Sequence, residues 1–375
     1  MHGKHFHYHH WLKSEIIEIY MNLAIRSFAL SMGIIFIPIY LLKIGFTLEL
    51  VFTYYILTFT VFGFAALLTA KLARKIGLKH LIMASIPFYI IFFVLLYLLN
   101  GVNMNLLYSL SAVEGFASAF YWVPLHSLFA KYSQKKKARK QVSYIFSVPG
   151  IFSILGPLIG GGIIITFGFK VLLLIISILL FTSLIPLFST KDFRPRKKFL
   201  LKDVLDKEHT KFFAGFFLHG VIYIAAAVLW PLFVYSILKD YVSLGITGTI
   251  VSISVVSFPL ILGYLAKKVT LITLIKVGGF GAFIVFSIVP YIRGNIAIYL
   301  ASFFVGTVMI LVEMPFYTLA LKTAAKKNPL EFMIFREIAL TAGRVSILTT
   351  LLILGGNFFA GFSITSATSL IAMII

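Results

Sequence analysis

Arg26, Glu114, His219 and Glu313 stand inside apolar runs long enough to cross a lipid bilayer. A charge at mid-membrane costs about 2.5 to 3.5 kcal/mol on insertion scales, so such side chains turn toward a polar cavity or toward one another. The chemistry open to them is of two kinds. Arg26 suits a carboxylate, either on a substrate or on Glu114, while Glu313 and His219 suit a titratable pair. Low-dielectric burial disfavours the charged form of a carboxylate, and a nearby cation favours it. A group that alternates between those surroundings takes up and releases protons. One charge moved through about 100 mV is worth roughly 2.3 kcal/mol, enough for about a fifty-fold solute gradient. The plainer alternative is a static buried pair that ties helices together, or for His219 a hydrogen bond to a backbone carbonyl.

Holding such groups requires membrane helices, and the composition supplies them. Hydrophobic residues make up 60% of the 375 and charged residues 12%, about half the quarter that a soluble domain carries. The apolar residues fall in blocks of about 20 or more, the length that crosses about 30 Å of hydrocarbon as a helix. The alternating pattern of an outer-membrane barrel is absent. An all-α membrane protein is predicted, with twelve spans at 16–42, 48–70, 78–99, 105–131, 142–167, 169–189, 212–238, 243–266, 271–292, 296–321, 335–355 and 357–375. The first block is too long for a signal-peptide core and lacks a small-residue cleavage site, so it reads as a permanent helix. Glycines allow the tight joins at Phe167-Gly168 and Gly355-Gly356. The absence of cysteine excludes a disulfide framework, a thiolate metal site and a cysteine nucleophile.

The net charge of +21 would suit nucleic acid if it were gathered on one surface, but its placement speaks for topology. Of the 33 Lys and Arg, 27 fall at the amino terminus and in alternate loops; Lys43, Lys170, Lys239 and Arg293 fall in the others, and Arg26 and Arg344 inside spans. This bias places both termini in the cytoplasm and sets the basic loops against anionic lipid. No nucleic-acid partner is expected. His2, His5, His7, His9 and His10 lie beside Phe6, Tyr8 and Trp11. An interfacial anchor explains that tract more simply than Zn²⁺, Ni²⁺ or Cu²⁺ binding.

The halves repeat. Domains are read as 1–188 and 212–375, joined by a hydrophilic linker at 189–211. At a shift of 193 residues Pro38 falls on Pro231, Ala70 on Gly263 and Arg74-Lys75 on Lys267-Lys268; at 191, Gly115 falls on Gly306 and Pro124 on Pro315. The shift of 193 also makes His219 the counterpart of Arg26. Two halves in the same orientation are the parallel-repeat plan of a rocking transporter.

At these residues the chain resembles the major facilitator superfamily, over nearly its whole length. The family signature between the second and third spans has the form G-x-x-x-D-R-x-G-R-K. The frame here is Ala70-Lys71-Leu72-Ala73-Arg74-Lys75-Ile76-Gly77-Leu78-Lys79. It matches at the second basic residue, the final glycine and the last lysine, but Arg74 stands in the acidic position. The resemblance gives that acid a role in the closed gate against the eleventh span. A gate of reversed polarity is therefore expected, with Arg74 or Lys75 facing Glu331 or Glu337, where carboxylates also suit the helix dipole. In the fourth span Ser111-Ala112-Val113-Glu114-Gly115 resembles R-x-x-Q-G without its arginine. In the fifth, Gly156-Pro157-Leu158-Ile159-Gly160-Gly161 resembles the G-P-x-x-G-G element of the family's exporters. Its glycines permit close helix approach and Pro157 a bend.

The resemblance also implies that spans 1, 4, 7 and 10 line a central cavity, which gives each one ionisable candidate. Trp122, ahead of Pro124, and Trp230, ahead of Pro231, could stack a hydrophobic substrate or simply pack. Arg344 reads as a gate or structural residue near the inner face, and His126 as packing. The leading reading is a monomeric secondary transporter of the cell membrane, a proton-linked exporter of a small organic solute. A lipid flippase of the same fold is the alternative, followed by a non-transporting sensor or scaffold. An enzyme is disfavoured because H-E-x-x-H and G-x-S-x-G are absent, and an ATP-driven pump because there is no phosphate loop. No cofactor is expected.

Overall fold

Proline and glycine set where these helices break and turn. The computed structural model describes residues 15–132, 138–188, 192–195, 204, 207–264, 269–324 and 328–374. The histidine tract and Lys267-Lys268 lie outside the described residues. Over the described residues all twelve predicted spans are helical, and no strand occurs among them.

The first, α1, runs Glu15–Ser31, passes through a 3-10 turn at Ile34–Phe36 and resumes as Ile37–Lys43, with Pro38 in the first turn of the second piece. Then come α2 (Leu48–Ile76), α3 (Leu78–Leu98) and α4 (Met104–Tyr132). Helix α5 is split into Ala138–Ser153 and Gly156–Phe167, again with proline at the restart, and α6 is Phe169–Thr182. In the second half α7 comprises Phe213–Ile224, a π-helical turn at Ala225–Leu229 and Trp230–Leu238. It is followed by α8 (Tyr241–Tyr264), α9 (Leu271–Ile288), α10 (Asn295–Ala324), α11 (Pro329–Ile353) and α12 (Phe358–Ser369). Pro231 has no N–H to donate and its ring crowds the preceding turn, so α7 widens just before it. Helix α11 starts six residues earlier than predicted, because Pro329 occupies its first position and the Asn328 side chain accepts from Leu330 N. A left-handed glycine, Gly77 at φ 99° and Gly168 at φ 82°, turns the chain in one residue between α2 and α3 and between α5 and α6.

Among the described residues nine spans are by themselves long and apolar enough to cross a membrane. Helices α4 and α11 are not among them, and these carry Glu114 and the Arg336-Glu337-Arg344 group. Phe64, Phe167, Ile185 and Ile296 lie on the outer surface, where apolar side chains meet lipid.

The helices form two six-helix bundles, α1–α6 and α7–α12. Within them α4 packs on α2 and α3, and α10 packs on α8 and α9. The internal repeat is exact at these crossings. A Cβ on Gly115 would meet the Thr58 carbonyl oxygen and Val61, and one on Gly306 would meet the Val251 carbonyl oxygen and Ser254. Between the bundles α2 packs on α11 and α5 on α8.

The acid missing from the α2–α3 turn is supplied from elsewhere. Asp192, just beyond α6, accepts from Lys79 N at 2.8 Å and His80 N at 3.2 Å, and Leu78 N donates to the Phe193 carbonyl at 3.0 Å. Asp192 thus caps α3 in the place a local side chain would fill. Nothing in the local signature foretells it, because the residue lies 113 positions from the backbone it caps.

Candidate functional site

Between the bundles lies a cavity of about 480 Å³, within the roughly 300 to 1,000 Å³ usual for small-molecule sites. Helices α1 to α5, α7, α8, α10 and α11 line it; α6, α9 and α12 contribute no residue to the described lining. The fold brings Arg26, Glu114, Trp122, Glu313, Glu337 and Arg344 to this one space. It does not bring His219, Trp230, Arg74, Lys75 or Glu331 there.

The Arg26 guanidinium lies 3.6 Å from the Tyr121 ring centroid, 4.7 Å from Tyr89 and 5.2 Å from Trp122. Tyr121 is held in turn by donating to Asn22 Oδ1 at 3.0 Å, whose amide donates to the Ser183 carbonyl at 2.7 Å. The expected Arg26–Glu114 ion pair does not form. Gly115 draws α4 against α2, and there the Tyr54 hydroxyl donates to Glu114 Oε2, with the Thr58 hydroxyl at 3.4 Å. Glu114 therefore takes its hydrogen bonds from α2, and Arg26 takes aromatic faces.

In the second half Glu313 faces the cavity and His219 packs behind it, with Nε2 to Oε1 at 3.8 Å. Among the described residues neither His219 ring nitrogen has a hydrogen-bond partner, and the backbone-carbonyl bond considered for it is not seen. Trp230 is buried away from the cavity and its Nε1 donates to Ser302 Oγ at 3.3 Å; it packs, whereas Trp122 lines.

Arg344 lines the cavity, with its guanidinium 4.6 Å from the Tyr223 ring and 5.0 Å from Phe59. Glycines place it there. Gly220 of α7 and Gly343 of α11 meet each other's helix so closely that a Cβ on either would overlap a backbone carbonyl, of Leu340 and Phe217 respectively.

Among the described residues the contacts expected of a reversed-polarity gate are not made. Glu337 is paired with its neighbour Arg336 and faces inward, with Oε1 3.8 Å from His126 Nε2. Arg74 and Lys75 are exposed, and among the described residues neither makes an ion pair with Glu331 or Glu337. His126, expected only to pack, instead joins the halves. Its Nδ1 lies 2.7 Å from the Tyr317 hydroxyl of α10, and its ring stacks on Trp122 at 5.3 Å. A polar side chain near the end of a cavity-lining helix was the available signal.

The halves meet on both sides of the cavity. On the basic-loop side Ser143 Oγ donates to the Pro259 carbonyl at 2.6 Å and Arg139 to the Val269 carbonyl at 2.9 Å. On the opposite side a Cβ on Gly161 would meet the Tyr241 carbonyl oxygen, one on Gly245 the Pro157 carbonyl oxygen, and one on Gly356 the Leu48 side chain. Gly156 and Gly160 bring α5 equally close to Ser31 and Met32 of α1. The exporter-like element is thus a packing seam touching both α1 and α8.

The family model described as Major Facilitator Superfamily matches residues 19–333. The chain belongs to the major facilitator superfamily. It is a multi-pass membrane transporter whose class handles small molecules. Among solved structures it resembles the crystal structure of the human organic anion transporter MFSD10 (TETRAN), at TM-score 0.64 and 11% identity, covering 96% of this chain and 98% of that one. At that identity the likeness carries the fold alone. Among curated proteins none matches.

Proposed function

We propose that this superfamily member exports a small organic solute by alternating access, driven by proton entry, as a monomer in the cell membrane with both termini in the cytoplasm. The observation that carries the reading is one cavity shared by two bundles, into which each half turns a carboxylate, Glu114 from α4 and Glu313 from α10. The halves touch above and below it, which is the arrangement a rocking pair passes through between its two open states. Export rests on the Gly156-Pro157-Gly160-Gly161 seam, and the orientation on the one-sided loop cations.

Flux in proteoliposomes tests it. A panel of small organic solutes is expected to yield at least one whose movement follows an imposed pH gradient and stops with a protonophore. Movement indifferent to pH would overturn proton coupling, and movement of lipid analogues alone would favour a flippase.

On the basic side we assign closure to the His126–Tyr317 bond. His126→Phe keeps the ring against Trp122 and removes the bond, worth about 1 kcal/mol or a five-fold change in the closed population. The chain has no cysteine of its own, so maleimide labelling of a single cysteine at Ser118 reports the change. Faster labelling from the basic side is expected; an unchanged rate would make the bond incidental.

A further inference from the structure

The cavity holds three arginines and three glutamates, and they do not all meet in contact pairs. Arg336 is matched by Glu337. Glu114 accepts from the neutral hydroxyls of Tyr54 and Thr58, and Glu313 lies beside His219, which carries charge only when protonated. Arg26 and Arg344 line the same cavity from opposite halves, and among the described residues neither has a carboxylate within ion-pair distance. The Nε atom of each is buried without a hydrogen-bond partner. A stranded buried donor on a charged group is costly, and stacking on an aromatic face does not satisfy it. Each of the two is stacked in this way, Arg26 on Tyr121 and Tyr89 and Arg344 on Tyr223 and Phe59.

Two guanidinium groups, each with a buried Nε that lacks a partner, across a space walled by rings, describe a ligand. We infer that Arg26 and Arg344 form a divided anion site whose ligand is an organic anion with a planar acidic group and an apolar, ring-bearing body. The acid accepts charge-assisted hydrogen bonds from the guanidinium edges. The body lies against Tyr55, Phe59, Phe92 and Trp122, which line the same cavity. Because one arginine comes from α1 and the other from α11, a bound anion holds the two halves together, and rocking apart releases it from one of them. This assignment rests on the transporter reading for its role, but as a binding site it stands on its own.

Equilibrium binding to the purified full-length protein tests it, with 2-naphthoate as probe and 2-naphthalenemethanol and 2-naphthylmethylammonium as its neutral and cationic counterparts. Benzoate, 4-phenylbutyrate and 2-naphthalenesulfonate complete the anion set. At least one anion is expected to bind about ten- to a hundred-fold tighter than its neutral counterpart. Arg26→Met and Arg344→Met should each weaken it by about that factor, and the Lys variants by less, because they keep the charge but not the fork. The Lys variants also separate lost binding from lost folding. Equal binding of neutral and anionic probes, unchanged affinity in both Met variants, or binding of no anion would each overturn the site. Competition by dihexanoyl phosphatidate would identify the anion as a lipid headgroup, and its failure to compete a free organic acid. Anion binding without pH-driven flux would sink the transport reading and leave the site standing. pH-driven flux of a cationic or neutral solute, with no anion bound at equilibrium, would do the reverse.

Discussion

Glu114→Gln is expected to abolish pH-driven accumulation while leaving solute exchange at equal pH intact. Glutamine keeps an acceptor for the Tyr54 and Thr58 hydroxyls, which hold the Glu114 side chain from α2, so the local geometry survives. What it loses is the capacity to carry a proton. Each proton moved through about 100 mV supplies roughly 2.3 kcal/mol, so the variant should forfeit a gradient of up to about fifty-fold. Glu313→Gln, with His219 at 3.8 Å, is the corresponding change in the other half. Comparing the two identifies which carboxylate carries the coupled proton. Wild-type accumulation in both variants would remove both residues from the mechanism.

Gly343→Val should unfold much of the protein. The Cβ it adds has no room, because the obstacle is the Phe217 carbonyl oxygen, a backbone atom that cannot swing aside. Gly220→Val meets the Leu340 carbonyl oxygen in the same crossing. Separating α7 from α11 would also carry Arg344 off the Tyr223 ring and His219 away from Glu313. Such overpacking against backbone belongs with the rare substitutions costing more than about 4 kcal/mol. Folded yield and melting temperature in detergent measure it. Gly162→Val is the control, since a Cβ at Gly162 meets nothing within 4 Å and should change little. Equal stability of all three variants would mean that the α7–α11 crossing is looser than described.

The twelve spans were legible because their lengths and loop charges answer to bilayer thickness and topology, which act on the sequence directly. The repeat was legible too, down to Gly115 and Gly306 sitting in equivalent crossings. Which side chains meet was not. A helix that faces protein on one side and lipid on the other is apolar all round, so hydropathy carries little information about its rotation. Trp122 and Trp230 each precede a helix proline, yet only Trp122 turns to the cavity. Likewise Arg26 and Glu114 reach the same space without meeting, because Gly115 commits Glu114 to α2. Arg344 reads from the sequence as a gate or structural residue near the inner face, and the Gly220–Gly343 crossing determines that it also lines the cavity. Asp192 was hidden by sequence distance alone.

Under the proposed mechanism one water-accessible path opens in turn to each side of the membrane. Single cysteines at Ser118 of α4 and Ser252 of α8, both lining the cavity, test it with a membrane-impermeant maleimide applied to one side at a time. Each cysteine should react from either side, with the balance between sides moving with pH. Reaction from neither side, or from one side alone at every pH, would contradict the account.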